Sequence, residues 1–166
     1  PLPDRNRVAM TAPLMQAPAA ALRILERLRD AGHESYFCGG CVRDALMGRA
    51  PKDWDMATAA APEQIEALFP RTVPVGKAFG VMIVVEDNEN FEVATFRSDL
   101  AYTDGRRPDG VRFTDPAEDA RRRDFTLNAL FYDPAENSIL DFVGGQEDIH
   151  RRIVRAVGDP RQRFAE

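Results

Sequence analysis

The sequence is poor in the residues that mark disulfide-bonded and zinc-binding proteins. Its 166 residues include two cysteines, two histidines and one tryptophan. Cys38 and Cys41 form a C-x-x-C pair, which elsewhere indicates a redox dithiol or half of a zinc site. A zinc site needs four ligands, and the two histidines, His33 and His150, lack ligand spacing. We therefore interpret Cys38 as a small apolar residue ending a buried strand, and Cys41 as one packed in the following helix.

Long apolar runs and a strong excess of basic charge are also absent. No apolar stretch approaches the roughly 20 residues that a membrane span needs, and the first residues show no continuous apolar segment typical of a signal peptide. The formal net charge is -5, so any contact with RNA must be local. We expect a soluble cytoplasmic protein with no membrane segment and no evident protein partner.

The chain does have enough apolar residues for a packed core, since 44% of it is hydrophobic and ten residues are Phe. Segments with strand and helix periodicity alternate, which predicts an α+β (mixed α/β) fold with a small mixed sheet flanked by helices. We expect a flexible lead-in over residues 1–18, a main domain over 19–145, and the start of a further helical segment over 146–166.

The periodicity also predicts individual elements. Helices are expected over 18–31, 41–47 and 62–69 and from 115 to about 130, and strands over 35–38, 54–58, 81–86, 91–97, 131–132 and 139–142. Residues 98–115 contain Gly105, Pro108 and Gly110 and predict a long exposed loop.

A glycine pair followed by two alternating acids is the most informative feature. Asp53 and Asp55 lie at i and i+2 of a predicted extended segment, so both carboxylates point to one side and can bind one or two divalent cations. Gly39 and Gly40 lack side chains, which lets backbone N–H groups approach a triphosphate at the start of a predicted helix. Arg43, in that helix, can contact phosphate in a bidentate manner. The pattern predicts Mg²⁺-dependent transfer of a nucleotide from a triphosphate.

Three further residues are candidates for this site. Glu92 alternates with apolar neighbours in a predicted strand and is the best candidate for a third carboxylate. Asp124 and Asn128 are four residues apart on a predicted helix, so they share a face, and either can bond a ribose hydroxyl. The arginines at 121–123 are candidates for a phosphate contact, and spacing alone does not choose among them.

Several segments resemble the nucleotidyltransferase superfamily of DNA polymerase β. FCGGCVRDALMG (37–48) and KDWDMAT (52–58) resemble its pattern of Gly-Gly, a gap of about a dozen residues, and Asp-x-Asp. DGRRPDGVRF (104–113), RRRDFTLNALFYD (121–133) and DFVGGQEDI (141–149) stand in the order seen in bacterial class II tRNA nucleotidyltransferases and their poly(A) polymerase relatives. The resemblance extends from about residue 20 to the end of the chain and implies a polymerase β-like head domain.

The resemblance implies roles for individual residues. It implies a nucleotide-binding set of Gly39, Gly40, Arg43, Asp44, Arg123, Asp124 and Asn128. Within that set it points to Arg123 as the phosphate contact. It also implies a helical neck, beginning within 146–166, whose Glu-Asp-x-x-Arg motif reads the incoming base and would begin here at Glu166.

The implied activity is template-independent addition of nucleotides from CTP and ATP to the 3′ end of tRNA, as CCA or terminal A, by two-metal phosphoryl transfer. Poly(A) polymerase, which adds AMP to RNA 3′ ends, shares the same motifs, but VGKAFGV (75–81) favours the tRNA branch. DGRRP (104–108) resembles a loop that enzymes adding only CC lack. The alternative of a non-catalytic nucleotide-binding module predicts the loss of a metal-binding acid, whereas this sequence keeps both.

Overall fold

The computed structural model describes residues 6–99 and 110–163, and everything below refers to them. The helices are α1 Ala19–Asp30, α2 Gly40–Leu46, α3 Pro62–Leu68, α4 Pro116–Arg121, α5 Gly145–Arg151 and α6 Pro160–Arg163. The strands are β1 Arg7–Ala9, β2 Ser35–Cys38, β3 Met56–Thr58, β4 Thr72–Gly76, β5 Val81–Glu86, β6 Glu89–Thr95, β7 Arg97–Asp99, β8 Val111–Phe113, β9 Leu130–Asp133 and β10 Ser138–Asp141. Short 3-10 helices occupy Lys77–Phe79 and Thr126–Asn128.

Eight of these strands form one mixed sheet, in the order β1-β10-β9-β2-β3-β6-β5-β4. The β3–β6 pair is parallel, whereas the other pairs in the sheet are antiparallel. Strands β7 and β8 form a separate two-stranded sheet. The predicted α+β class is confirmed, although the sheet is larger than expected.

Alternating side chains of the sheet bury two apolar clusters. On one face, Phe37, Met56 and Val93 pack against helix α1 through Ile24 and Leu28. The other face carries the second cluster, whose buried members are Tyr36, Cys38, Ala57, Phe96, Ala120, Ala129, Phe131, Leu140 and Val157. Helix α4 therefore lies on the opposite face of the sheet from α1.

The structure corrects three predicted elements. Residues 7–9, inside the predicted flexible lead-in, form strand β1 and pair with β10. The predicted long loop over 98–115 instead contains β8 and the end of β7, and its segment DGRRP (104–108) lies outside the described residues. The predicted strand 54–58 begins only at Met56, so Asp53 and Asp55 precede it. The domain boundaries at 18/19 and 145/146 stay predictions.

The predicted helix from 115 to about 130 is also wrong. Helix α4 ends at Arg121, and a separate 3-10 helix follows at Thr126. The cause is a tertiary contact that local periodicity does not reveal: Phe125 forms a β-bridge with Ala156, and the backbone N–H of Thr126 donates to the carbonyl of Arg155 at 2.9 Å. Asp124 and Asn128 therefore do not share a helical face.

Among the described residues, none of the helices is long and apolar enough to cross a membrane.

Candidate active site

The glycine pair connects β2 to α2. Gly39 has a φ of 69°, a left-handed conformation that favours glycine. A Cβ added there would lie 3.3 Å from Nη1 of Arg123, which is tighter than most real contacts. The positive φ and the close approach of the Arg123 guanidinium both favour glycine at position 39.

The two cysteines flank this turn as predicted. Cys38 ends β2 and Cys41 lies in α2, and both are buried free thiols. Burial raises the pKa of each thiol, and the Cys41 thiol donates to the carbonyl of Cys38 at 3.2 Å. They are packing residues.

The predicted carboxylates lie together beside the glycine turn. In the parallel pairing of β3 and β6, Met56 is opposite Val93, and both are fully buried. Asp55 and Glu92 each precede one of these residues, so both point to the other face of the sheet as neighbours. Burial and then the charge of Asp53 raise the pKa of Asp55. Although Glu92 is exposed, partial desolvation and then the charge of Asp55 raise its pKa as well.

This donor set fits a magnesium ion. The charge of Asp53 disfavours the charge of Asp55, the charge of Asp55 disfavours that of Glu92, and a bound cation relieves such repulsion. In residues 6–99 and 110–163, no three His, Cys, Asp or Glu side chains form a ready-made metal cage. Mg²⁺ commonly binds one or two carboxylates and takes its other ligands from substrate phosphates and water. The arrangement therefore suits a metal that arrives with a triphosphate.

Arg123 connects the parts of this site. Its Nε and Nη2 donate to Oδ2 of Asp119 at 3.2 and 3.0 Å, and its Nη1 donates to the carbonyl of Asn128 at 3.1 Å. The guanidinium also stacks on Phe131, 5.2 Å from the ring centroid. Burial lowers its pKa, but its contacts with Cys38 and Asp119 outweigh that effect, so the pKa is raised and the charge is kept.

That charge acts on the carboxylates, because Arg123 lowers the pKa of both Asp55 and Glu92 against the stronger effect of burial. Arg122 also donates to Asp119, and Arg121 pairs with Glu118 on the surface. Of the three arginines, Arg123 is the one that the structure places against the site. Its contact with phosphate stays a prediction.

Two predicted nucleotide-binding segments meet at Arg43. Its Nε donates to Oδ1 of Asp44 at 2.8 Å, and its Nη2 forms an ion pair with the same oxygen at 2.7 Å. Its Nη1 donates to Oδ1 of Asn128 at 2.8 Å. Asp44 and Asn128 thus hold the Arg43 guanidinium in one orientation. Gly40 lies beside it, because a Cβ added there would be 3.5 Å from Nη2 of Arg43. Asp124 is exposed in the turn between α4 and the 3-10 helix.

Sequence reasoning missed two buried acids that support the site. Asp119 is 1% exposed and accepts bonds from Arg122, Arg123 and the backbone N–H of Arg97. Its spacing of three and four residues from the arginines was a usable signal. Asp148, which is 3% exposed, accepts from the hydroxyl of Thr126 at 2.7 Å across 22 residues of sequence. No local pattern indicates that contact.

A mixed sheet with a glycine turn, neighbouring carboxylates and an oriented arginine defines a nucleotidyltransferase-type head. Residues 35–155 match the Poly A polymerase head domain family, and the chain belongs to that family. The resemblance to class II tRNA nucleotidyltransferases and poly(A) polymerases is confirmed.

Two relatives and one solved structure that are similar to this chain are CCA-adding enzymes. The CCA-adding enzyme of Bacillus licheniformis is 50% identical over 147 residues, which cover 88% of this chain and 37% of that enzyme. The CCA-adding enzyme of Staphylococcus aureus is 50% identical over 144 residues, covering 86% of this chain and 36% of the enzyme. The crystal structure of the Bacillus stearothermophilus CCA-adding enzyme in complex with CTP has a TM-score of 0.78 and 39% identity, over 94% of this chain and 37% of that one. The chain spans a little over a third of the length of these relatives.

Proposed function

We propose that this chain is the catalytic head of a template-independent nucleotidyltransferase that adds nucleotides from CTP and ATP to the 3′ end of tRNA. The observation that carries the proposal is the arrangement around Arg123. This residue lies against Gly39, bonds the backbone of Asn128 and acts electrostatically on Asp55 and Glu92. The triphosphate-binding and carboxylate halves of the site therefore share one centre.

Each half has a distinct task in the proposed reaction. Asp53 and Asp55 would hold Mg²⁺, which reduces the charge on the triphosphate and orients the attacking hydroxyl when it is bound. Arg43, held by Asp44 and Asn128, presents its remaining N–H groups to phosphate oxygens. Glu92 supplies the third carboxylate.

The segment around Asp124 is assigned to the sugar. Asp124 is exposed four residues before Asn128, whose side chain accepts a hydrogen bond from Arg43, and a ribose bound by Asn128 would lie next to a triphosphate bound by Arg43. A site that bonds a hydroxyl rejects the analogue that lacks it, by roughly 1–3 kcal/mol for each group left unpaired.

The names of the relatives support tRNA over other RNA. The matched Bacillus and Staphylococcus proteins are called CCA-adding enzymes, and the Bacillus stearothermophilus structure contains CTP. Poly(A) polymerase activity is the second candidate, since the matching family is named for it. The cytoplasm, where tRNA would be processed, is the proposed location.

The test is to incubate the longest natural form of the protein with Mg²⁺, labelled CTP or ATP, and tRNA ending at each of its 3′-terminal stages. Stage-specific addition supports the proposal, and long untemplated A tails would instead favour poly(A) polymerase. Asp55→Asn should abolish incorporation. Asp30→Asn is the matched control, because it removes an acid from α1 on the opposite face of the sheet. Equal activity of the two variants would contradict the assigned site.

A further inference from the structure

The segment 124–128 is held by the C-terminal part of the chain. The backbone N–H of Thr126 donates to the carbonyl of Arg155, and that of Val157 donates to the carbonyl of Asp124, both at 2.9 Å. Helix α4, which precedes the segment, ends three residues before Asp124. The backbone of the segment that carries Asp124 and Asn128 is thus held by residues 155 and 157.

Helix α5 supplies the side-chain half of this attachment. The carboxylate of Asp148 accepts from the Thr126 hydroxyl at 2.7 Å, and both groups are buried. Nε of Arg155 donates to the two oxygens of the same carboxylate at 3.1 and 3.0 Å. Gly145, also in α5, lies so close that a Cβ there would be 2.2 Å from the Thr126 carbonyl oxygen. Contacts at its amide N–H, its carbonyl oxygen and its hydroxyl therefore fix the position of Thr126.

Thr126 lies between the two residues proposed to face the sugar. A buried charge-assisted hydrogen bond is stronger and more directional than a neutral one, so the Asp148 carboxylate restricts where Thr126 can lie. Moving Thr126 moves Asn128, and with it the bond from Arg43 to the Asn128 side chain. A displacement of about 1 Å at a positioned group is enough to change a bound geometry substantially.

We propose that Asp148 is a positioning residue which, through Thr126, sets the sugar preference of the nucleotide site. This inference rests on the proposed ribose role of Asp124 and Asn128. Asp148 contacts neither the substrate nor the metal in this scheme, and it acts by fixing the loop that does.

The test compares two identical substitutions. Thr126→Val removes the hydroxyl that bonds Asp148. Thr95→Val is the control: it removes the buried hydroxyl of Thr95 in strand β6, which donates to the Ala60 carbonyl at 2.7 Å. Affinities for ATP and dATP are measured with Mg²⁺ present, and the melting temperature of each variant is recorded. The wild type should prefer ATP by about tenfold or more, which corresponds to one hydroxyl contact of about 1.4 kcal/mol.

Thr126→Val should lower that preference by about threefold or more, while Thr95→Val should keep it even at a similar loss of melting temperature. Thr126→Ser, which keeps the hydroxyl, should keep the wild-type preference for ATP over dATP. An unchanged preference in Thr126→Val would overturn the inference. If Thr126→Val does not fold, Asp148→Asn provides the same test. Its side chain has a single acceptor oxygen for the two donors, the Thr126 hydroxyl and Nε of Arg155, and it should lower the ATP preference in the same way.

A wild type with equal affinity for ATP and dATP would instead remove the ribose role from the proposed function, and the positioning role with it. The two failures are therefore distinguishable: failure of the ribose role appears in the unmodified protein, whereas failure of the positioning role alone appears only in the variants.

Discussion

Substituting Gly145 by alanine gives opposite predictions from helix propensity and from packing. Gly145 is the first residue of α5, and its φ is not positive. Alanine is favoured over glycine in helices by up to about 1 kcal/mol, so propensity alone predicts a more stable protein. The tertiary structure predicts the reverse.

The steric effect follows from the distances. A Cβ on Gly145 would lie 2.2 Å from the carbonyl oxygen of Thr126 and 2.9 Å from its carbonyl carbon, whereas real Cβ contacts are essentially never under 3.0 Å. The backbones must separate by most of an ångström, and the neighbour is main chain that cannot rotate away. Overpacking of this kind costs about 1–3 kcal/mol. A mid-range cost of about 2 kcal/mol, offset by a gain in propensity of about 1 kcal/mol, leaves a net loss of about 1 kcal/mol. In a chain of this size that loss lowers the melting temperature by about 2–4 °C.

The assay is thermal unfolding of the wild type and Gly145→Ala, with ¹H–¹⁵N spectra at 25 °C. Gly144→Ala is the control: Gly144 has a φ of 83° and nothing within 4 Å of an added Cβ, so alanine is strained there without displacing Thr126. Gly145→Ala should shift the amide resonances of residues 124–128, and Gly144→Ala should leave them in place. An unchanged or higher melting temperature for Gly145→Ala would refute the packing argument.

Three further predictions concern charged side chains. Asp53→Asn and Asp55→Asn should each abolish Mg²⁺-dependent incorporation by the longest natural form while leaving circular dichroism spectra unchanged, because each keeps the side-chain shape but loses a charged metal ligand. Near wild-type activity of either variant at saturating Mg²⁺ would contradict the metal site. Glu92→Gln should reduce incorporation by the same amount or less. Arg43→Lys should weaken triphosphate binding by about tenfold in a titration, since the single ammonium of lysine replaces a planar guanidinium whose separate nitrogens bond Asp44 and Asn128. Burial raises the pKa of Asp133, but the hydrogen bond from Arg7 and the charge of Arg29 outweigh burial, so the pKa in the folded protein is lowered. The ionised Asp133 carboxylate therefore stabilises the fold above its unfolded-state pKa of about 4, and this stabilisation is lost as pH falls through its folded-state pKa. Asp133→Asn should therefore flatten the acid side of the melting temperature profile, and identical profiles would argue against this ion pair.

The sequence by itself was sufficient for the elements whose signals are local. Helix α1, strand β2 and the β5–β6 hairpin lie within a few residues of their predicted bounds, because their apolar periodicity and turn residues act over short distances. The family was also evident, since the Gly39-Gly40 and Asp53-x-Asp55 spacing is preserved in one continuous stretch. The alternation of Glu92 with buried residues likewise followed from strand geometry.

Only the tertiary structure decided how the remaining site residues are held. Asp124 and Asn128 were expected on one helix, but backbone bonds from residues 155 and 157 outweigh the local helical preference and place them in a turn and a 3-10 helix. The contact of Asp148 with Thr126 joins residues far apart in sequence, so no periodicity could signal it. Among the three arginines, spacing offered no choice, whereas burial against Phe131 and Asp119 singles out Arg123. Local sequence specifies which side chains are available, and long-range hydrogen bonding of buried polar groups determines where they lie, because such groups are costly to bury without partners.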